Sequence, residues 1–300
     1  MSKSEVESVK LNGVKFYYSI NDCRLDKPII LYLHGGPGDA CIPLTKKYNS
    51  KLEEDFIFVN WDQRGSGLSY YPFSQSEKLN LATILDDTYQ FVQYLLEKCN
   101  QKKLIIMGHS WGTVIGISFI QKYPELVSHY IGIGQVVNMK ENIDLQKKFL
   151  RTKMKNSDQL DKLDFVEDPI KSSLVLTKKI VSYDGSLYGS KNYLKLIVPF
   201  IFSKDYSIRK LINRLKGSNQ SIEYFWKELL EINFENYVDF KMPILFCEGR
   251  YDAHVSSKLV DNYAKRINSP VEIIWFESSG HFPQWEESAK FNDEIQSWVE

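Results

Sequence analysis

Short apolar runs punctuate the chain. They fall at 14–20 (VKFYYSI), 28–33 (PIILYL), 56–60 (FIFVN), 103–108 (KLIIMG), 128–134 (VSHYIGI), 243–248 (PILFCE) and 271–276 (VEIIWF). Most are continuous rather than alternating, and rich in Ile, Val and Phe. That pattern predicts strands covered on both faces, as in a parallel sheet. Helical spacing fills the intervals. Residues 81–98 place Leu81, Ile84, Thr88, Phe91 and Leu95 on one face, and 112–122 form an apolar helix that Pro124 ends. Residues 256–267 and 286–299 read as amphipathic helices. Strands alternating with helices predict an α/β fold, a mainly parallel central sheet flanked by helices.

One region breaks the alternation. From Met139 to Asp239 the chain is rich in Lys, Asn, Asp, Leu and Tyr, with helical spacing and few strand signals. Pieces such as LQKKFLRTKMK and SIEYFWKELLEIN predict helices. Nearly a hundred residues exceed a plain crossover between two strands. The expected organisation is therefore a catalytic domain built from 1–138 and 240–300, with a helical cap inserted at 139–239.

In such sheets ligands bind beyond the carboxyl ends of the strands. The segments that follow successive strands are HGGPG (34–38), WDQRGSG (61–67), HSWG (109–112), GRYDAH (249–254) and ESSGH (277–281). Glycines and chemically active side chains gather at one edge. GHSWG at 108–112 poses the sharpest question. Ser110 could cap the following helix, and the two glycines could be ordinary turn residues. The chemical reading is a nucleophile elbow, a strand-to-helix turn so tight that only small residues fit beside it.

The order Ser110, Asp252, His281 is that of nucleophile, acid and base in an α/β-hydrolase. HGGPG, DQRGSG, GHSWG, GRYD and SGH together resemble the proline iminopeptidase family of that fold, and they span almost the whole expected catalytic domain. The resemblance implies a Ser-His-Asp triad acting through an acyl-enzyme and release of N-terminal residues, often proline, from peptides. Ser110 would attack once a base removes its proton. His281 would be that base and then the acid, with an apparent pKa near neutrality. Asp252 would orient it, with Glu248 and Asp239 as rivals for that place. The oxyanion would meet the N–H groups of Trp111 and of Gly36 or Gly35. The family pairs the substrate's free amine with acidic cap side chains. Glu223, Glu228, Glu231 and Glu235 are available, with Glu223 the first choice, although their spacing also fits a solvated helix face.

Other residues take quieter roles. His34 is read as bracing the oxyanion loop and His109 as pointing away from Ser110. His254, near Asp252, is read as a surface loop residue with contact to substrate as the alternative, His129 as a strand residue, and Asp62 and Arg64 as a charged brace below the site. GIGQ at 132–135 is only a fragment of a dinucleotide fingerprint.

Composition narrows the remainder. The chain has 300 residues with 38 Lys plus Arg against 38 Asp plus Glu, so no basic face for nucleic acid is expected. Cys23, Cys41, Cys99 and Cys247 form no close pair, which argues against a disulfide framework or a zinc site. No metal or cofactor is expected. Absence of a secretory h-region and of a long apolar run makes a cytoplasmic protein without membrane contact the expectation. The partner is a small molecule or short peptide, and the oligomeric state is left open. Two other functions stay in view. A different cap on the same domain would make an esterase or lactonase of small acyl substrates, and an inert serine would make a ligand receptor.

Overall fold

The computed structural model describes residues 3–24, 26–154 and 168–299. Its strands are β1 (Glu5–Leu11), β2 (Val14–Ile20), β3 (Ile29–Leu33), β4 (Ile57–Asp62), β5 (Leu104–His109), β6 (Val127–Ile133), β7 (Ile244–Gly249) and β8 (Val271–Phe276). They form one sheet in the order β1-β2-β4-β3-β5-β6-β7-β8. β2 runs antiparallel to β1 and β4, and every pair from β4 to β8 is parallel. The helices are α1 (Ile42–Tyr48), α2 (Leu81–Lys98), α3 (Trp111–Lys122), α4 (Met139–Lys153), α5 (Pro169–Ser182), α6 (Leu194–Ile201), α7 (Ile208–Leu230), α8 (Ser257–Ala264), α9 (Pro283–Glu286) and α10 (Ser288–Val299).

The continuous apolar runs become strands because both sheet faces are covered. Leu31, Leu33, Ile106 and Phe246 pack with α2, α3 and α8 on one side. Their neighbours Ile30, Tyr32, Met107 and Leu245 pack with α1 and α10 on the other. Each such side chain contributes roughly 1.5–3 kcal/mol by leaving water.

Two features depart from the sequence reading. β1 was not expected, because its EVESVKL is mostly half-exposed and polar. It is set by the Asn12-Gly13 turn, whose φ values of 49° and 77° suit a tight hairpin. Cys23 and Cys99, 76 residues apart in sequence, are joined by a disulfide with their Cα atoms 5.1 Å apart. Cys41 and Cys247 are free and buried.

Helices α4 to α7 lie between β6 and β7. They pack partly on themselves, through Leu150, Leu176 and Ile180. Otherwise they lean on the main domain. Phe225, Trp226 and Leu229 of α7 join the α2–α3 side of the core, while Leu196, Phe200 and Tyr206 join the opposite side.

Candidate active site

Ser110 sits between β5 and α3 with φ 53° and ψ −117°, a conformation that costs a non-glycine residue on the order of 1–3 kcal/mol. It occupies the helix N-cap position, yet its hydroxyl makes no capping hydrogen bond. The backbone is pinned instead. Ser110 N–H donates to the Ile133 carbonyl at 3.0 Å, and the Ser110 carbonyl accepts from Thr113 N–H at 2.8 Å and Thr113 Oγ1 at 2.6 Å. The flanking glycines answer a packing demand. A Cβ on Gly112 would stand 2.0 Å from the Leu33 carbonyl oxygen, and one on Gly108 would stand 2.5 Å from the Gly112 oxygen. Only bare backbone lets α3 start this close to β3 and β5.

The loop after β8 delivers His281, whose Nδ1 is 2.7 Å from Asp252 Oδ2. Asp252 Oδ1 accepts from the N–H groups of His254 at 2.8 Å and Val255 at 2.9 Å. With Nδ1–H donated to the carboxylate, Nε2 is left as the basic nitrogen. Burial pushes His281 below the ordinary imidazole range and Asp252 above the ordinary carboxylate range. The desolvated site thus favours an uncharged imidazole at rest. A Cβ on Gly134 would come within 2.8 Å of His281 Nδ1. The second glycine of GIGQ, Gly134, is therefore the floor under the imidazole. Among the described residues no hydrogen bond joins Ser110 Oγ to His281; such contacts commonly tighten only when substrate is present.

The rivals of Asp252 are placed elsewhere. Glu248 is fully buried at the end of β7, where Oε1 accepts from Gln135 N–H at 2.9 Å; burial raises its pKa well above the usual range. Asp239 is exposed and accepts from Asn268.

Gly36, Ser110 and Trp111 line one cavity. Neither the Gly36 nor the Trp111 N–H donates a hydrogen bond among the described residues. Gly35 is not in the lining and packs behind it, against His109 and Ser110. His34 braces this turn: Nδ1 donates to the Gly35 carbonyl at 2.8 Å and Nε2 accepts from Gln63 N–H at 3.0 Å. Gln63 then ties the turn to the elbow, donating to the His34 carbonyl and accepting from Trp111 Nε1. The DQRGSG charges brace through separate partners. Arg64 makes a bidentate, buried pair with Asp87 at 2.6 and 2.7 Å. Asp62 accepts from Leu68 N–H and from Tyr206 of the insertion, and burial lifts its pKa to about 7.

The remaining walls of the cavity come from Val136 after β6, from α4, α5 and α7, and from the loop after Asp252. Met139, Ile143, Trp226, Leu229 and Val255 are apolar, and Asn142, Gln146, Ser173, Thr177 and His254 are polar. Its open space is about 30 Å³, roughly the share of one water molecule in the liquid.

A family profile described as alpha/beta hydrolase fold matches residues 28–288. The chain belongs to this family. Among curated relatives of this α/β-hydrolase, "Probable aminopeptidase YbaC" of Bacillus subtilis is 28% identical over 95% of the chain and 93% of the relative. "Proline iminopeptidase" of Saccharolobus solfataricus is 21% identical over 97% and 91%. The crystal structure of a proline iminopeptidase from Mycobacterium smegmatis superposes with a TM-score of 0.70 at 14% identity over 98% and 97% of the two chains, a likeness of fold alone.

Within this α/β-hydrolase two sequence expectations need correction. Glu223 lies on the exposed face of α7, because the helix turns Phe225, Trp226 and Leu229 inward. The other acidic candidates are equally absent from the cavity wall. Glu228 accepts from Leu81 N–H and Glu235 from Asn138, while Glu231 is exposed. His254 is half-buried rather than set on an open surface loop. It lines the cavity and stacks on His281, with ring centroids 4.6 Å apart. Its Nδ1 lies 3.0 Å from Ser186 Oγ, and its carbonyl accepts from Asn142 and Gln146. One loop residue thus links the acid, the imidazole and the inserted helices. Its position two residues after Asp252 was the available signal. Gln146 and Trp226 carried none, being indistinguishable from the rest of an amphipathic helix.

Proposed function

We propose that the chain is a serine hydrolase working through an acyl-enzyme, and that its substrates are peptides from which it releases the N-terminal residue. One observation supports the chemistry: Ser110 and two residues with unpaired N–H groups, Gly36 and Trp111, line a single cavity whose His254 stacks on His281 of the His281–Asp252 pair. In this reading His281 Nε2 takes the Ser110 proton as Oγ attacks the scissile carbonyl. The carbonyl oxygen gathers negative charge and is received by the two N–H groups, which need no reorientation. His281 then gives the proton to the departing amine, and water repeats the cycle on the acyl group. Asp252 holds the imidazole in the tautomer that this sequence needs. The resemblance along the whole chain to a relative named an aminopeptidase supports the peptide substrate.

A second reading, hydrolysis of small neutral esters or lactones, is favoured by the lining. No carboxylate faces the cavity among the described residues. A protonated amine entering there would meet only uncharged acceptors, such as Gln146 Oε1 and Thr177 Oγ1, and burying an unpaired charge is costly.

Aminoacyl-naphthylamides, free and N-acetylated, compared with p-nitrophenyl esters at equal concentration test both readings. Cleavage of free-amine substrates that acetylation abolishes is expected. Equal rates on acetylated and free substrates would remove the aminopeptidase reading and leave the ester hydrolase.

A further inference from the structure

Ten large apolar side chains stand exposed among the described residues, and seven of them fall between 194 and 215. They are ordered. Leu194, Val198, Ile201 and Phe202 recur along α6 and its end at intervals that form one helical stripe. Ile208, Ile212 and Leu215 repeat the spacing on α7. Phe202 and Ile208, each 82% exposed, flank the short connection between the helices. The first nine residues of α7, from 208 to 216, include no buried side chain. An amphipathic helix gains most of its stability from packing its apolar face, and here the outer stripes have nothing to pack on.

Charge says what would cover them. The whole chain is balanced at 38 cations and 38 anions, but residues 191–216 carry seven Lys or Arg against one Asp. Arg214 is paired with Asp39, and the lone Asp205 is taken by Lys46. Lys191, Lys195, Lys204, Arg209, Lys210 and Lys216 form no ion pair among the described residues. Val198 and Phe202 also edge an open groove of about 900 Å³ that continues to Lys46 and Lys47 on α1. A second copy of this chain docking by the same face would set six uncompensated cations against six more, because a two-fold contact is self-complementary.

We propose that the outer face of α6 and α7 is a docking surface for an anionic lipid bilayer. The apolar stripes enter the boundary between headgroups and acyl chains, Phe202 and Ile208 lead, and the flanking cations meet lipid phosphates. In this proposal the protein lies on the membrane surface; no described helix is long and apolar enough to span one. This departs from the expectation of no membrane contact, which rested on the lack of a spanning segment.

The test is co-sedimentation of the full chain with vesicles of phosphatidylglycerol and phosphatidylcholine, against vesicles of phosphatidylcholine alone, at low and high salt. Partition onto the anionic vesicles at low salt is expected, falling with added salt. The double variant Phe202→Ser/Ile208→Ser should lower the partition coefficient by about tenfold or more, because two large apolar groups no longer enter the interface. Lys195→Glu/Arg209→Glu should lower it to a similar extent on anionic vesicles and leave the weak binding to neutral ones unchanged. Thermal unfolding of both variants checks the fold, which these exposed positions should barely affect. Equal partition of wild type and variants, or none onto anionic vesicles, overturns the proposal. So does concentration-dependent self-association of the wild type that Phe202→Ser/Ile208→Ser abolishes, which would assign the face to a second copy.

Discussion

The environment of His281 and the outer face of α6 and α7 are built on opposite rules. Asp252 accepts three hydrogen bonds, His109 donates to the His281 carbonyl at 2.9 Å, and His281 N–H reaches the Ser186 carbonyl at 2.7 Å. Clearances are small enough that one extra carbon at Gly112 or Gly134 has nowhere to go. The outer helices offer the reverse, with apolar side chains in the open and, among the described residues, six cations in no ion pair. The difference divides the labour. Directional bonds and close packing hold one arrangement of the groups proposed to react, as an electrostatically preorganised site would require. A surface with few internal bonds is free to be completed by something outside the chain. Changes at the sheet edge should therefore act on turnover, and changes on the outer helices should act on where the protein is found.

The largest effect expected from that division is at Ser110. Ser110→Ala should leave the fold intact and lower turnover by about 10⁴-fold or more, with only binding and the two N–H groups remaining. Turnover close to wild type in pure Ser110→Ala protein would end the serine mechanism. Gly134→Ala comes next and tests packing without replacing any of the groups proposed to react. Its Cβ would press on His281 Nδ1, and φ of 53° already disfavours any side chain. Displacing the imidazole by a fraction of an ångström to an ångström should cost about 10²-fold in kcat/KM. An unchanged rate would mean that the close contact is not what sets the ring's position.

What the sequence disclosed follows the same line. Residues that must be one type for steric or chemical reasons stood out: Gly108, Ser110 and Gly112 by spacing, and Asp252 and His281 by place after a strand. The buried strands were legible because both faces demand apolar residues. β1 was not, since an edge hairpin with one half-exposed face has a diluted pattern. Nor was the Cys23–Cys99 link, because spacing in sequence says nothing of proximity in space. The sequence left His254 between the surface and the substrate, and favoured the surface, because a loop histidine next to an acid looks the same whether it faces water or a cavity. Glu223 was misassigned for a related reason. Helical periodicity shows that a helix has two faces but not which one looks at the site.

The pH profile sharpens the contrast at an intermediate scale. A near-neutral midpoint was the reading from sequence, but burial lowers the His281 pKa below its ordinary 6.5. In the proposed mechanism His281 is a base that works when neutral, so depression would extend activity toward acid. kcat/KM is expected to be level above about pH 6.5 and to fall up to tenfold per pH unit below the lowered pKa. The same shift makes stability rise with pH in that acidic window. There the unfolded chain holds a proton on His281 that the folded chain refuses. Rate measurements on enzyme first shown to be folded at each pH would decide it. A midpoint above 6.5 would mean that the imidazole is not desolvated in the working enzyme.

The smallest expected effect is at Glu223, and its smallness is informative. The residue sits on α7, the helix that contributes Trp226 and Leu229 to the cavity, so mere nearness would give it a role in holding the substrate amine. Its side chain points to solvent, where a single charge interacts weakly with anything inside the protein. Glu223→Gln should change kcat/KM by less than about twofold for free-amine and acetylated substrates alike, with thermal unfolding unaltered. Gln146, which lines the cavity and whose Oε1 accepts no hydrogen bond among the described residues after its amide donates to the His254 carbonyl, is the contrasting position. Gln146→Leu removes that acceptor, and it should raise KM for free-amine substrates severalfold more than for esters. A Glu223→Gln enzyme whose KM rises tenfold for free-amine substrates alone would show that the outer face of α7 turns inward during catalysis. The division between a fixed site and an unengaged surface would then fail at this helix.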